Sequence, residues 1–276
     1  MARDIALTGL PRSGTTLVCQ LLGGLPDSVA LIEPMKVAGF PALGAHSAIA
    51  GEIAGYFGRM RTSLLTNGKA ESAHTDGAMT DNTFEAPRTD GNLRQNSITR
   101  GEVSIDKPLT ADFTLCIKHI AAFTAVLQPL SARLPVYAMV RNPLSVLASW
   151  STVDTPINRG HIPAAEGLDA MLAKALLAED DPLARQLHIL DWFFERFSRF
   201  LSKDAVLRYE DIVASGGAAL SVIVPAAAGL KAQLANRNQS YSDRRLQLLA
   251  ERLLDSDGAY WNYYSRESVA ELARGA

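Results

Sequence analysis

The residues whose types and positions suit anion chemistry gather around Gly9-Leu10-Pro11-Arg12-Ser13-Gly14-Thr15-Thr16. This glycine loop lies between an apolar run at residues 4–8 and a helix-forming run that starts at Thr15. In strand, loop, helix order, successive backbone N–H groups and the positive end of the helix dipole converge on an anion such as phosphate. The spacing from Gly9 to Gly14 is that of a Walker A loop, but Thr15 stands where a nucleoside triphosphatase carries lysine. That lysine reaches the β- and γ-phosphates, and the hydroxyl after it holds Mg²⁺. Here the positive charge sits inside the loop as Arg12, so the loop is expected to hold an anion other than a magnesium-bound triphosphate. The plain alternative is a βα turn with glycines for tightness.

Three more charged residues stand at the ends of apolar runs of strand length. Glu33 follows 28–32, Lys118 closes 113–118 with His119 next to it, and Arg141 follows 134–140. Open α/β sheets gather ligands at the carboxyl ends of their strands, so these side chains are expected at the same crevice as the loop. For Glu33 a surface carboxylate at a strand exit stays open. A Walker B aspartate would often occupy the place of Arg141, and a cation there suits a second phosphate rather than a metal. Pro143 is placed to start a helix that carries Ser149. Ser149 lies two turns beyond Arg141 and reaches the same ligand only with a bend or a long ligand.

The elements that must position these residues alternate between apolar strands and helical patterns, which predicts α/β architecture with a mostly parallel sheet covered by helices on both faces. Helices are expected over about 45–65, from 119 to about 128, from Pro143 to about Ser151, and over 164–178, 182–201 and 243–254. In the 182–201 helix, Leu183, Leu187, Leu190, Phe194, Phe197 and Leu201 form a core stripe. The last clear strand is 205–209, and the aromatics at 260–264 are expected to pack. Residues 66–107 carry Gly, Asn, Thr and Asp with few apolar positions, so they are expected to form a long loop that serves acceptor recognition. The chain reads as one domain, 1–276, with 66–110 as an acceptor-binding insertion or lid.

Composition narrows the partners. A net charge of −2 gives no basic field for nucleic acid, so anion binding must come from a local cluster. The two cysteines, Cys19 and Cys116, form no metal or disulfide framework, and the five histidines show no ligand spacing, so no metal is expected. No apolar run approaches the ~20 residues of a membrane span, and no signal segment precedes the first strand, which leads to an expectation of a cytoplasmic protein.

Two motifs in order resemble those of the sulfotransferase family, which has the P-loop nucleotide-binding architecture. Pro11-Arg12-Ser13-Gly14-Thr15-Thr16 is similar to the family's loop for the 5′-phosphosulfate, and the segment from Arg141 to Ser149 to its 3′-phosphate motif. Arg208-Tyr209-Glu210-Asp211-Ile212 also resembles a family segment near the adenine. The resemblance implies a donor, 3′-phosphoadenosine 5′-phosphosulfate, with adenosine 3′,5′-bisphosphate as product and no metal. It implies that Arg12, Ser13, Gly14, Thr15 and Thr16 hold one end of the donor, Arg141 and Ser149 the other, and Tyr209 borders the base. Arg237 is a candidate replacement for a C-terminal basic loop that this sequence lacks. Departures are Ser145 where aspartate is common and Leu17 where cytosolic members have tryptophan.

The arginine form of the loop looks closer to the carbohydrate and tyrosylprotein branches than to the phenol enzymes. In the tyrosylprotein branch a glutamate about twenty residues after the loop arginine is the base and a lysine assists; Glu33, 21 residues after Arg12, and Lys118 occupy those places. His119 is the competing base. It lies one residue after the lysine rather than the two seen in phenol enzymes, and on extended chain that shift reverses the side chain. The expected activity is sulfuryl transfer to an acceptor hydroxyl, with a P-loop small-molecule kinase or a non-catalytic nucleotide-binding module as alternatives.

Overall fold

The computed structural model describes residues 3–75, 83–85, 92–235 and 243–275. Along the chain come β1 (Arg3–Gly9), α1 (Thr15–Gly23), β2 (Ser28–Ile32), α2 (His46–Asn67), β3 (Lys69–His74), β4 (Thr99–Ser104) and β5 (Thr114–Lys118). They are followed by α3 (Ala121–Ala125), α4 (Leu127–Ser131), β6 (Val136–Val140), α5 (Pro143–Trp150), α6 (Pro163–Glu166), α7 (Ala170–Ala178) and α8 (Pro182–Phe200). The remainder holds β7 (Val206–Arg208), α9 (Tyr209–Ala214), α10 (Asp243–Leu254) and α11 (Arg266–Arg274).

The central sheet has five parallel strands in the order β2-β5-β1-β6-β7. β2 and β5 are buried at every residue, and β1 from Ile5 onward, which is why they read as unbroken apolar runs. Neighbouring residues of β1 serve opposite faces. Ile5 and Leu7 pack with Val18, Cys19 and Leu22 of α1, while Ala6 packs with the larger core built on α2, α3, α5 and α8. β1 is thus central, and its loop opens between the exits of β5 on one side and β6 on the other. Among the described residues no helix is long and apolar enough to cross a membrane.

Helix starts follow capping rules. The Asn142 side chain accepts from the Leu144 N–H at 3.0 Å with Pro143 at the first position of α5, and Asp181 accepts from Leu183 ahead of α8. The predicted helix over 164–178 is two, α6 and α7, divided where the Asp169 side chain caps α7. The predicted helix after His119 is likewise split, at Val126. Strand 205–209 ends a residue early, because Tyr209 opens α9. On α8 the inward face is wider than the six-residue stripe. Gln186, Ile189 and Phe193 are fully buried there, while Leu183, Leu187 and Leu201 are partly so.

The largest departure lies in residues 66–107. Instead of one long loop, α2 runs on to Asn67, and β3 and β4 form an antiparallel ribbon in which Ala73 pairs with Arg100 and Glu71 with Glu102. Only Ala70, Ser72, Ala73 and Val103 of the ribbon are buried, so it carries almost no hydrophobic alternation to read. Its anchor is polar: the Ile32 N–H at the end of β2 donates to the buried Ser72 Oγ at 3.0 Å. That bond fixes the ribbon beside the exit of β2.

Candidate active site

The loop after β1 is shaped by contacts from distant elements. Gly9 has φ 151°, and a Cβ there would lie 2.5 Å from the Met139 carbonyl oxygen of β6. Gly14 has φ 89°, and a Cβ would meet the Tyr209 ring at 2.5 Å, so glycine is required twice over. The Ser13 hydroxyl donates to the Leu10 carbonyl at 2.8 Å and is fully buried. The Ser13 hydroxyl therefore closes the turn. Trp150 Nε1 donates to the Pro11 carbonyl at 2.9 Å and pins the loop to α5. α1 begins with Gly14 as its cap, without a capping side chain or an acidic residue in its first turn. Its first N–H groups, at Thr15 and Thr16, thus keep the electropositive character that attracts an anion; both threonines line the crevice.

Arg12 has φ 69°, a backbone region that non-glycine residues adopt only when surroundings force it. Its Nε donates to Ser149 Oγ at 3.3 Å, and its guanidinium lies over the Phe84 ring at 4.6 Å. Arg141, buried, donates from Nη1 to the Arg12 carbonyl at 3.4 Å and stacks on the Tyr209 ring at 4.3 Å. The expected Arg12 end and Arg141–Ser149 end therefore adjoin one another. Arg12, Arg141, Ser149 and Tyr209 are one connected cluster, because α5 turns Ser149 back onto the loop. The exit of β6 is held by Glu210, which accepts from the Asn142 N–H at 2.9 Å and from Tyr264 Oη at 2.8 Å. Burial and the Glu210 carboxylate push the Tyr264 phenol far above its ordinary pKa, so it stays a donor.

Across the crevice stands Glu33. Its φ of 45° is again left-handed, and three contacts enforce the turn. Its N–H donates to the Lys118 carbonyl at 2.8 Å, the Met35 N–H donates to His119 Nε2 at 3.0 Å, and Glu33 Oε1 accepts from Lys118 Nζ at 2.9 Å. Glu33 Oε2 accepts from Arg100 of β4 at 3.1 Å. Burial pushes the Glu33 carboxyl up, but Lys118, with help from His119 and Arg100, outweighs it and holds the pKa at about 2. Glu33 is therefore ionised throughout the neutral range.

His119 takes the opposite side of the extended chain from Lys118, as their adjacency requires. Its burial lowers its pKa to about 3, against the pull of Glu33, so it is neutral near pH 7. The Nε2 lone pair is engaged by the Met35 N–H and the ring packs on Phe123 at 5.1 Å, so His119 braces the turn at Glu33.

Both clusters border one cavity of about 900 Å³, whose lining includes Arg12, Gly14, Thr16, Glu33, Lys118, Arg141 and Tyr209. Residues of the 66–110 segment also line it, among them Thr75, Phe84, Arg94 and Ile98. Arg237 lies outside the described residues. Sequence reasoning missed Arg100, Phe84 and Trp150, whose contacts join positions far apart in the chain and leave no local pattern. Comparison with protein-family models and with curated proteins returns no match.

Proposed function

We propose that this chain is a sulfotransferase that moves a sulfuryl group from 3′-phosphoadenosine 5′-phosphosulfate to an acceptor hydroxyl, without a metal. The observation that carries the reading is the convergence of Arg12, Arg141, Lys118 and Glu33 on one cavity around a glycine loop that has Thr15 in place of the Walker lysine. The fit is supported by the size of the cavity, which suits a nucleotide. It is also supported by an α1 N-terminus without an acidic first turn and by buried Arg141 and Ser149, both in contact with Arg12.

In this reading the Gly14, Thr15 and Thr16 amides and Arg12 hold the phosphosulfate end, Arg141 and Ser149 the 3′-phosphate, and Tyr209 borders the base. When bound, the donor supplies an activated sulfuryl group on a bisphosphate leaving group. Glu33 accepts the proton of the acceptor hydroxyl while the acceptor oxygen bonds to sulfur and the bond from sulfur to the departing phosphate oxygen breaks. Lys118 Nζ steadies the negative charge that collects on that departing oxygen. As Lys118 turns from Glu33 toward that charge, the force that holds the carboxyl at about 2 weakens, and Glu33 becomes a stronger base when one is needed.

Calorimetry tests the reading. Adenosine 3′,5′-bisphosphate is expected to bind in the presence of EDTA, and more tightly than ATP with Mg²⁺. Mg²⁺-dependent ATP binding with no binding of the bisphosphate would favour a kinase instead.

A further inference from the structure

The cavity lies across the strand exits, and its two sides rest on different layers of the fold. Leu17 and Gln20 of α1 line one side together with Tyr209 and Leu234, and in the proposed reading this side belongs to the donor. Ile120, Val153, Ile157 and Ile162 line the other, and all four pack with the core built on α2, α3, α5 and α8. α6, which follows Ile162, packs against α3, which follows Ile120. The four side chains therefore make one apolar wall that begins two residues beyond Lys118. Phe84, also in the lining, packs on the same core.

The polar groups of this wall are engaged within the protein. The Ile157 and Asn158 carbonyls accept from Nε2 of the buried Gln186 on α8, at 2.9 and 3.1 Å. The His161 N–H donates to the Pro156 carbonyl at 3.0 Å, and the Ile162 N–H donates to the Glu166 carboxylate. His161 itself lines the cavity, with Nε2 at 3.1 Å from Arg185 Nη1. Arginine can only donate, so Nε2 accepts, and Nδ1 carries the proton and donates to Glu166 Oε2 at 3.3 Å. Thr155 Oγ1 is buried. The polar lining residues Thr75, Thr83, Asn96 and Ser97 come from the 66–110 segment instead. A sugar laid along the isoleucine wall would lose water from several hydroxyls without gaining partners, whereas an apolar body gains by leaving water.

We propose that the acceptor is a small neutral alcohol or phenol on an apolar body, with its hydroxyl at Glu33 and Lys118 and its body along Ile120, Val153, Ile157 and Ile162. The arginine form of the loop resembles the carbohydrate and tyrosylprotein branches, but this wall is not built for a sugar. The place of the hydroxyl rests on the sulfotransferase reading; the preference of the wall for an apolar guest does not.

The test measures binding of 1-butanol, 1-hexanol and 1-octanol, and of cyclohexanol against myo-inositol, in saturating adenosine 3′,5′-bisphosphate. Affinity is expected to rise about fourfold per methylene along the series, the value of burying that group. Cyclohexanol is expected to bind at least 10-fold more tightly than myo-inositol, which has the same ring. Isoleucine methyl NMR spectra of the wild type locate the guest: Ile120, Ile157 and Ile162 are expected to shift with 1-hexanol, while the buried Ile5 and Ile53 stay in place. Ile120→Ser is expected to weaken 1-octanol at least threefold. A flat series, myo-inositol bound as tightly as cyclohexanol, or no alcohol bound at all overturns the apolar acceptor. Rising affinity without shifts at Ile120, Ile157 and Ile162 overturns the wall as its site, as does unchanged 1-octanol binding by an Ile120→Ser protein that still binds nucleotide. If that variant loses the nucleotide, the wild-type spectra decide alone. A wild type that does not bind the bisphosphate refutes the sulfotransferase reading instead, and the alcohol series and methyl spectra recorded without nucleotide still decide the wall.

Discussion

The two walls of the cavity are built by different means. The loop wall, Gly9 to Thr16 with Arg141 and Ser149, is made from the exits of central strands and the starts of helices, held by buried contacts such as Trp150 Nε1 to the Pro11 carbonyl. The ribbon wall, β3 and β4 with Phe84 and Arg94, is polar and half-exposed and is tied to the sheet through Ser72. Glu33 stands between them, with one oxygen held by the sheet through Lys118 and the other by the ribbon through Arg100. The contrast assigns fixed positioning to the loop wall and exchangeable contacts to the ribbon wall.

The largest expected effect is at the junction. Glu33→Gln is expected to lower kcat by about 10²- to 10⁴-fold, the usual range for loss of a general base, with nucleotide affinity retained. Equal losses in kcat and in nucleotide affinity would move Glu33 out of that role. Next is Lys118→Met, which is expected to lower kcat by about 10²-fold, since it removes a group acting on transition-state charge. It should also release Glu33 to the effect of burial, so that its carboxyl titrates above about 2 and toward or past the ordinary carboxylate range. The sign follows from linkage. With a depressed folded pKa, the stabilisation from ionised Glu33 is present above the unfolded value and is lost as pH falls toward about 2; the Lys118→Met protein should lose less stability across that acid window. An unchanged acid limb would contradict the coupling.

On the loop wall, Arg12→Ala and Arg141→Ala are each expected to weaken nucleotide binding by about 1.5–3 kcal/mol, the value of a charge-assisted contact. The Arg141 loss should be much smaller for adenosine 5′-phosphosulfate, which lacks the 3′-phosphate. Because the two arginines touch through the Arg12 carbonyl, the double variant should be non-additive in a calorimetric cycle. The smallest effect is expected at His119→Asn, with a modest fall in melting temperature from the lost Met35 contact and little change in kcat; a base-sized loss of kcat would restore His119 as the competing base.

The same contrast explains what could be read from the sequence. The parallel sheet was legible because strands such as Ser28–Ile32 and Thr114–Lys118, covered on both faces, must be continuous apolar runs. The loop was legible from the Gly9 to Gly14 spacing between strand and helix, and the start of α5 from Pro143 at its first position. The ribbon was not, since Lys69, Glu71, Glu102 and Arg100 carry no apolar alternation and its tie to the sheet through Ser72 and Ile32 joins positions 40 residues apart. Nor was the merging of the Arg12 and Arg141 clusters, which depends on how α5 packs against the loop. Glu33 and Lys118 could be placed at strand ends, but their pairing across 85 residues of chain is a product of the fold.

The most direct measurement is transfer of radiolabelled sulfate from 3′-phosphoadenosine 5′-phosphosulfate to hydroxyl acceptors in EDTA, with wild type and Glu33→Gln compared at saturating donor. The account predicts acceptor-dependent label transfer by wild type, with at least a hundredfold less by Glu33→Gln that still binds the nucleotide. Transfer at equal rates by the two proteins, or none by wild type across anionic and neutral acceptors alike, would contradict it.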